Sequence, residues 1–209
     1  MTSPIPFEMS DNPPSDPETS GPTIASFLES CQFENGPYIH PRVISFHTDQ
    51  DRVNWSSFMP DWQSRDTFSQ FASSALHGKS TKIGVFSVPT GSQIGNEWKD
   101  AVWHVFVVAI IHGKPKKRVL IWDCDPQEDA ASRRWSNVLR GRQRTFIEYL
   151  RDKRNLRPEI WYHTDTTYSG QDKSLLFSLQ KVKEWALLGD FAYQGEDDPR
   201  FVHCVPLRL

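Results

Sequence analysis

The run AVWHVFVVAII, residues 101–111, constrains this chain more than any other feature. It is almost continuously β-branched or aromatic, so it has no polar face to turn toward water, and such a segment reads as a strand buried on both sides of a sheet. The turn HGKPKK follows and leads into RVLIWDCD. So short a connection can join only antiparallel neighbours, which predicts a hairpin of two central strands. Upstream, TKIGVFSVP reads as a strand closed by Pro89, with a polar loop from Thr90 to Asp100.

Helical spacing supplies the covering layers. DWQSRDTFSQFASSALHG places Phe68, Phe71, Ala72, Ala75 and Leu76 on one face and stops at Gly78. Arg133 to Arg154 gathers Trp135, Val138, Leu139, Phe146, Tyr149 and Leu150 on a second apolar stripe. DKSLLFSLQKVKEWALLG forms a third helix, with Gly189 as its stop. Ile24 to Leu28 predicts a short helix capped by Thr23, and Arg42 to Phe46, PEIWYHTDT and RFVHCVPLRL read as further short strands. Strands and helices in this order predict an α+β domain, a central mostly antiparallel sheet flanked by helices.

With 209 residues the chain has room for one well-cored domain. Residues 1–22 are rich in Pro, Ser, Asp and Glu and cannot bury enough apolar surface to offset their ordering entropy. They are expected to be a disordered acidic tail, leaving residues 23–209 as a single domain. Neither a signal-peptide pattern nor a run of about 18 apolar residues is present, so no membrane partner is expected and the location is read as cytoplasmic or nuclear. Cys31, Cys124 and Cys204 are far apart, without a CxxC pair, and are read as reduced thiols. Histidine and cysteine spacings suggest no zinc site, and no cofactor is expected; His40, His47, His77, His112, His163 and His203 are read as surface or satisfied core residues.

Three landmarks carry possible chemistry: His104 in the apolar strand, Asp123 at the end of its partner strand, and a helix beginning after a later strand. In a thiol peptidase a histidine deprotonates the nucleophile, a carboxylate orients the imidazole, and the cysteine stands at a helix N-terminus where the dipole favours thiolate. The ordered set VFSVP, WHVFVVAI with His104, RVLIWD with Asp123, a helix around TFIEYL, the strand EIWYH and then QDKSLLFSL resembles the SUMO-deconjugating and adenovirus-proteinase-like cysteine peptidases. The resemblance spans approximately residues 60–190 and implies a papain-like layout. It also implies a protein partner, with ubiquitin-like proteins as the class such enzymes handle.

The same resemblance marks departures. Lys173 stands where the family has its nucleophilic cysteine, and Thr167 where it has the oxyanion-hole glutamine; Trp103 precedes the histidine rather than following it. An ammonium cannot replace a thiolate, and losing such a nucleophile typically costs about 10⁶ in turnover. Cys124 is no substitute, because neighbours on a strand point to opposite faces. Ser169 and Ser174 are alternative hydroxyl nucleophiles, each also readable as a helix cap. The expectation is therefore a catalytically inactive, peptidase-like protein-binding module. The alternative is a thiol or serine hydrolase with a displaced nucleophile.

Two further readings stand beside it. Asp123-Cys124-Asp125 matches a short DxD pattern able to hold a hard cation, without an accompanying phosphate loop. Arg133, Arg134, Arg140, Arg144 and Arg151 form a basic helical surface fitted to an acidic protein, phosphate or nucleic acid. The aromatic residues of that helix lie on its opposite face, which favours core packing over base stacking.

Overall fold

The structure is a computed structural model describing residues 21–45, 71, 79–94, 97–113, 116–124, 147–148, 150–151, 157–163, 173–190, 192–195 and 197–207. Residues 1–20 of the tail expected at 1–22, and most of the segments 61–78 and 133–154 expected to be helical, lie outside them; Gly21 and Pro22, assigned to the tail, are instead helical. The architecture is α+β, built on one seven-stranded sheet. Its strands are β1 (Tyr38–Ile39), β2 (Ile44–Ser45), β3 (Lys82–Ile94), β4 (Glu97–Ile111), β5 (Arg118–Asp123), β6 (Glu159–His163) and β7 (Cys204–Pro206). The order across the sheet is β1-β3-β4-β5-β6-β7, with β2 also paired to β3.

Most of the ladder is antiparallel, as expected: β3 with β4, β4 with β5, and β6 with β7. The predicted hairpin of β4 and β5 is present, in the register Phe106↔Asp123 to Ile111↔Arg118. The parallel pairings are short, β1 and β2 on β3, and β6 on β5. The chain between Asp123 and Glu159 is long enough for the crossover that a parallel β5–β6 pair requires.

From His104 to Ile111 both faces of β4 are covered, because these residues are all buried. Phe106, Val108 and Ile110 face one core with Phe86, Val119, Ile121, Tyr162, Ile147 and Leu150. Val105, Val107, Ala109 and Ile111 face the other, with Trp122, Cys124 and two helices. These are α1 (Gly21–Ser30) and α2 (Ser174–Leu187). Helix α1 contributes Ile24 and Leu28, one turn apart; α2 contributes Leu175, Leu179, Val182, Trp185 and Ala186, a single stripe at helical spacing. Gly189, with φ 86°, ends α2 as its sequence position predicts.

Three expectations are corrected. Strand β3 does not close at Pro89 but continues to Ile94, with Pro89 opposite Trp103 and a register irregularity between Thr90 and Ser92. Proline lacks the N–H that a regular ladder uses, and it is tolerated where pairing is already irregular. The polar loop from Thr90 to Asp100 is consequently the outer part of a long β3–β4 ribbon. Thr23 lies inside α1, which begins at Gly21, so it is not the cap. Pro22 then occupies an early helical position, where its missing N–H has no intrahelical acceptor to lose.

Gly84 shows how closely the first core is filled. A Cβ placed there would lie 2.9 Å from Phe71 Cε2 and 3.0 Å from Phe86 Cε2. Both rings are fully buried and packed edge to face, with centroids 5.4 Å apart. Gly84→Ala is therefore expected to lower unfolding free energy by about 1–3 kcal/mol, read from the midpoint of chemical denaturation. An unchanged midpoint would show that the phenylalanine pair can yield.

Candidate functional site

His104 and Asp123 meet because of strand register. Asp123 pairs with Phe106, and His104 lies two residues before Phe106, so both side chains stand on the same face of the sheet. His104 Nε2 lies 2.8 Å from Asp123 Oδ1 in a hydrogen bond, with the side chains 2% and 0% exposed. The other ring nitrogen, His104 Nδ1, is buried and has no hydrogen-bond partner among the described residues. Leaving a buried polar atom unsatisfied typically costs about 1–3 kcal/mol.

The start of α2 docks on the next residue of β4, Val105, from the opposite face of the sheet. The β4–β5 register ends at Phe106↔Asp123, and Val105, one residue further out, donates its N–H to Ser174 Oγ at 3.1 Å. Ser178 Oγ donates in turn to the Val105 carbonyl at 3.2 Å. Two hydroxyls one helical turn apart thus take up the backbone groups of β4 just where β5 stops supplying partners. Lys173, exposed, is the N-cap residue of α2, with φ −112° and no side-chain cap hydrogen bond.

This geometry sorts the sequence expectations. His104 and Asp123 come together, and Lys173 stands at the helix start that packs against the residue following His104. Ser174 is neither the cap nor an unengaged hydroxyl: it is the first residue of α2 and accepts the Val105 N–H. Thr167, Ser169, Asp125, Arg133, Arg134, Arg140 and Arg144 lie outside the described residues. Arg151 is described, half-buried in a helical segment with Ile147 and Leu150. The DxD reading loses its first carboxylate, since Asp123 is fully buried against His104.

None of the three thiols is placed as a nucleophile for His104. Cys124 sits in the core opposite the one His104 faces, as strand alternation requires. Burial raises the Cys31 thiol, against smaller lowering effects of Ser30 and Lys183. Burial also pushes Cys204 up to about 12, with Lys181 opposing and nearby Asp198 adding to the rise. Relative to an ordinary thiol at 9.0, that value leaves about a thousandfold less thiolate at neutral pH. In the native protein, iodoacetamide labelling of Cys204 at pH 7.5 is expected to be slower than that of a free thiol by a factor of this order, followed by mass spectrometry. Cys204 is half-buried, and rapid labelling would show that its thiol is not desolvated.

His40, His112 and His163 make local contacts. His40 is buried, with Nδ1 2.9 Å from the Arg42 carbonyl oxygen, and burial holds its pKa below the usual value. His112 pairs with Asp190 at 3.3 Å, and His163 packs against Trp122. Sequence reasoning did not single out the Ser174–Ser178 bracket. Its signal is present in SLLFSL, where two serines one turn apart fall on the same stripe as Leu175 and Leu179. Polar residues on a buried stripe mark places where a helix meets unpaired backbone.

No family model, no curated protein and no solved structure matches this chain.

Proposed function

We propose that the domain is a papain-like peptidase scaffold that has no cysteine-peptidase activity and binds a protein partner. One observation carries the reading: His104 and Asp123 form a buried imidazole–carboxylate pair, while the helix start that docks on Val105, the residue after His104, carries a lysine instead of a thiol. The resemblance to SUMO-deconjugating peptidases supplies the reason to expect a peptide-binding groove at that place, and ubiquitin-like proteins are the first partners to test. Burial of the pair and the raised pKa values of Cys31 and Cys204 support silence over a displaced thiol.

The test is exposure of the full chain to ubiquitin-like proteins carrying a C-terminal electrophile, beside binding measurements with the unmodified proteins. The expected result is non-covalent retention without adduct. An adduct that disappears in His104→Ala would establish an active hydrolase and sink the silent reading. Absence of any retention across these proteins would sink the ubiquitin-like partner.

A further inference from the structure

Among the described residues the exposed large apolar side chains are Phe33 (39%), Tyr38 (37%), Leu187 (64%), Leu188 (39%) and Val202 (55%). All but Val202 share one end of the domain, where hydrogen bonds hold their segments together. The Asn35 carbonyl accepts the Asp190 N–H at 2.9 Å, which joins the turn after α1 to the residues after α2. Asp190 Oδ1 accepts the Thr81 N–H at 2.9 Å, and the Thr81 carbonyl accepts the Tyr38 N–H at 2.9 Å. Phe33, Tyr38, Leu187 and Leu188 are thereby gathered around the start of β3. Val202 stands at the other end, because it leads into β7, whose Cys204 pairs with His163 at the end of β6. Exposed apolar side chains scattered singly need no explanation, but a group collected on one rim marks an interaction surface.

The same end carries a shelf of cations. Strands β1, β3, β5 and β6 all begin there, because β1 is parallel to β3, β6 is parallel to β5, and β4 is antiparallel to both β3 and β5. Lys82 opens β3, Lys116 and Lys117 lead into β5, and Arg157 leads into β6. Lys116 and Arg157 are exposed, and the other two are half-buried. Lys82 Nζ lies 4.5 Å from the centre of the Tyr38 ring, so the shelf starts at the border of the apolar group. Burial lowers the pKa of both Lys82 and Lys117; Asp190 opposes the shift at Lys82, while the charge of Lys82 adds to the one at Lys117. An anion set over the two ammonium groups relieves that repulsion. Arg118 serves the fold instead, paired with Glu159 at 3.1 Å and stacked on Tyr193.

We infer that this rim docks a segment of a protein partner that carries leucine or aromatic residues next to Asp or Glu. Phe33, Leu187 and Leu188 form the apolar pad, and Lys82, Lys116 and Lys117 receive the carboxylates. Burial of the pad supplies affinity, while the charges set orientation and encounter rate. What else stands on the rim disfavours other polyanions. Glu29 and Glu34, both exposed, flank the pad on the side of Phe33, and the end of α2 has no basic residue in its last turn. Anionic lipid headgroups are repelled by all three. Leu187 and Leu188 give nucleic-acid bases no ring to stack on, and Lys82 already covers a face of Tyr38. The rim lies at the opposite end of the β4–β5 ladder from Asp123 and His104. It is therefore separate from the groove proposed above, and either can fail without the other.

The experiment selects binders to the full chain from a displayed library of random dodecapeptides and measures the affinity of the synthetic peptides by fluorescence anisotropy. Selected sequences that combine Leu, Phe or Trp with Asp or Glu are expected. Leu187→Ser and Lys116→Glu should each weaken their binding about tenfold, and Val202→Ser should leave it unchanged. All three side chains are exposed, so none of these changes threatens the fold. Basic selected peptides, binding indifferent to either Leu187→Ser or Lys116→Glu, or a selection without binders would overturn the proposal. So would retention on phosphatidylserine vesicles or on a single-stranded oligonucleotide that these two variants abolish, with no peptide bound. A dimer that Leu187→Ser dissociates would assign the rim to a second copy and sink the partner. A ubiquitin-like protein held equally by the parent and both variants, with no peptide selected, disproves this inference and leaves the groove reading in place.

Discussion

Asp198→Ala is expected to destabilise the domain by about 3–5 kcal/mol, because it leaves a buried guanidinium without its counter-charge. Asp198 is fully buried and Arg200 is 3% exposed. Asp198 Oδ1 accepts from Arg200 Nε at 2.9 Å, and Oδ2 from Arg200 Nη2 at 2.6 Å. The same carboxylate accepts the backbone N–H groups of Arg200 and Gln194, and Arg200 Nη1 reaches Thr81 Oγ1 at 3.3 Å. The pair therefore ties the segment before β7 to the start of β3. Urea denaturation of the variant measures the loss, and a change under about 1 kcal/mol would show that the pair is dispensable.

The pH dependence of that contribution has a fixed sign. Burial by itself would raise the Asp198 carboxyl, but the hydrogen bonds and charge of Arg200 outweigh it, and the folded value lies below the ordinary 3.8. An acid with a depressed folded pKa binds fewer protons in the native state, so its stabilisation is full above the unfolded value and lost as pH falls through the folded one. Stability of the parent protein should therefore fall in the window below 3.8 more steeply than that of Asp198→Asn. Parallel curves for the two proteins would contradict the assignment.

Asp123→Ala is the second large effect, expected at about 3 kcal/mol, because the variant strands His104 Nε2 in a core where the ring's other nitrogen has no partner among the described residues. The double variant His104→Leu, Asp123→Leu removes both polar groups and should recover much of that loss. With the single variants His104→Leu and Asp123→Leu completing the cycle, the difference isolates the coupling of the two side chains. Strict additivity would show that the hydrogen bond at 2.8 Å contributes nothing to stability.

The unbroken apolar run of residues 101–111 made β4 legible, since a segment without a polar face has few places to go but the middle of a sheet. The short turn after it dictated the antiparallel β5, and the alternation of strand side chains put Cys124 on the face opposite Asp123. The stripe of Leu175, Leu179 and Val182 with Gly189 beyond it likewise defined α2 to within a few residues. Pro89 misled, because a proline reads as a strand end unless the partner's irregular register is known. The Asp198–Arg200 clamp was illegible: in EDDPRF charged residues look solvated, and only the tertiary fold brings them against Thr81 at the start of β3.

For His104 and Asp123, the sequence by itself determined that the two lie on neighbouring strands, because local periodicity and a tight turn set strand identity and direction. That they share one face at 2.8 Å depends on register, which a turn of six residues does not specify to the single residue. Where α2 would start relative to them was likewise a tertiary decision. The sequence placed a lysine at a helix start; the fold brought that start to the end of β5, where Val105 had backbone groups to satisfy and Ser174 and Ser178 had hydroxyls to offer. Contacts between residues about seventy positions apart arise from the closing of a common core, and no local pattern encodes them.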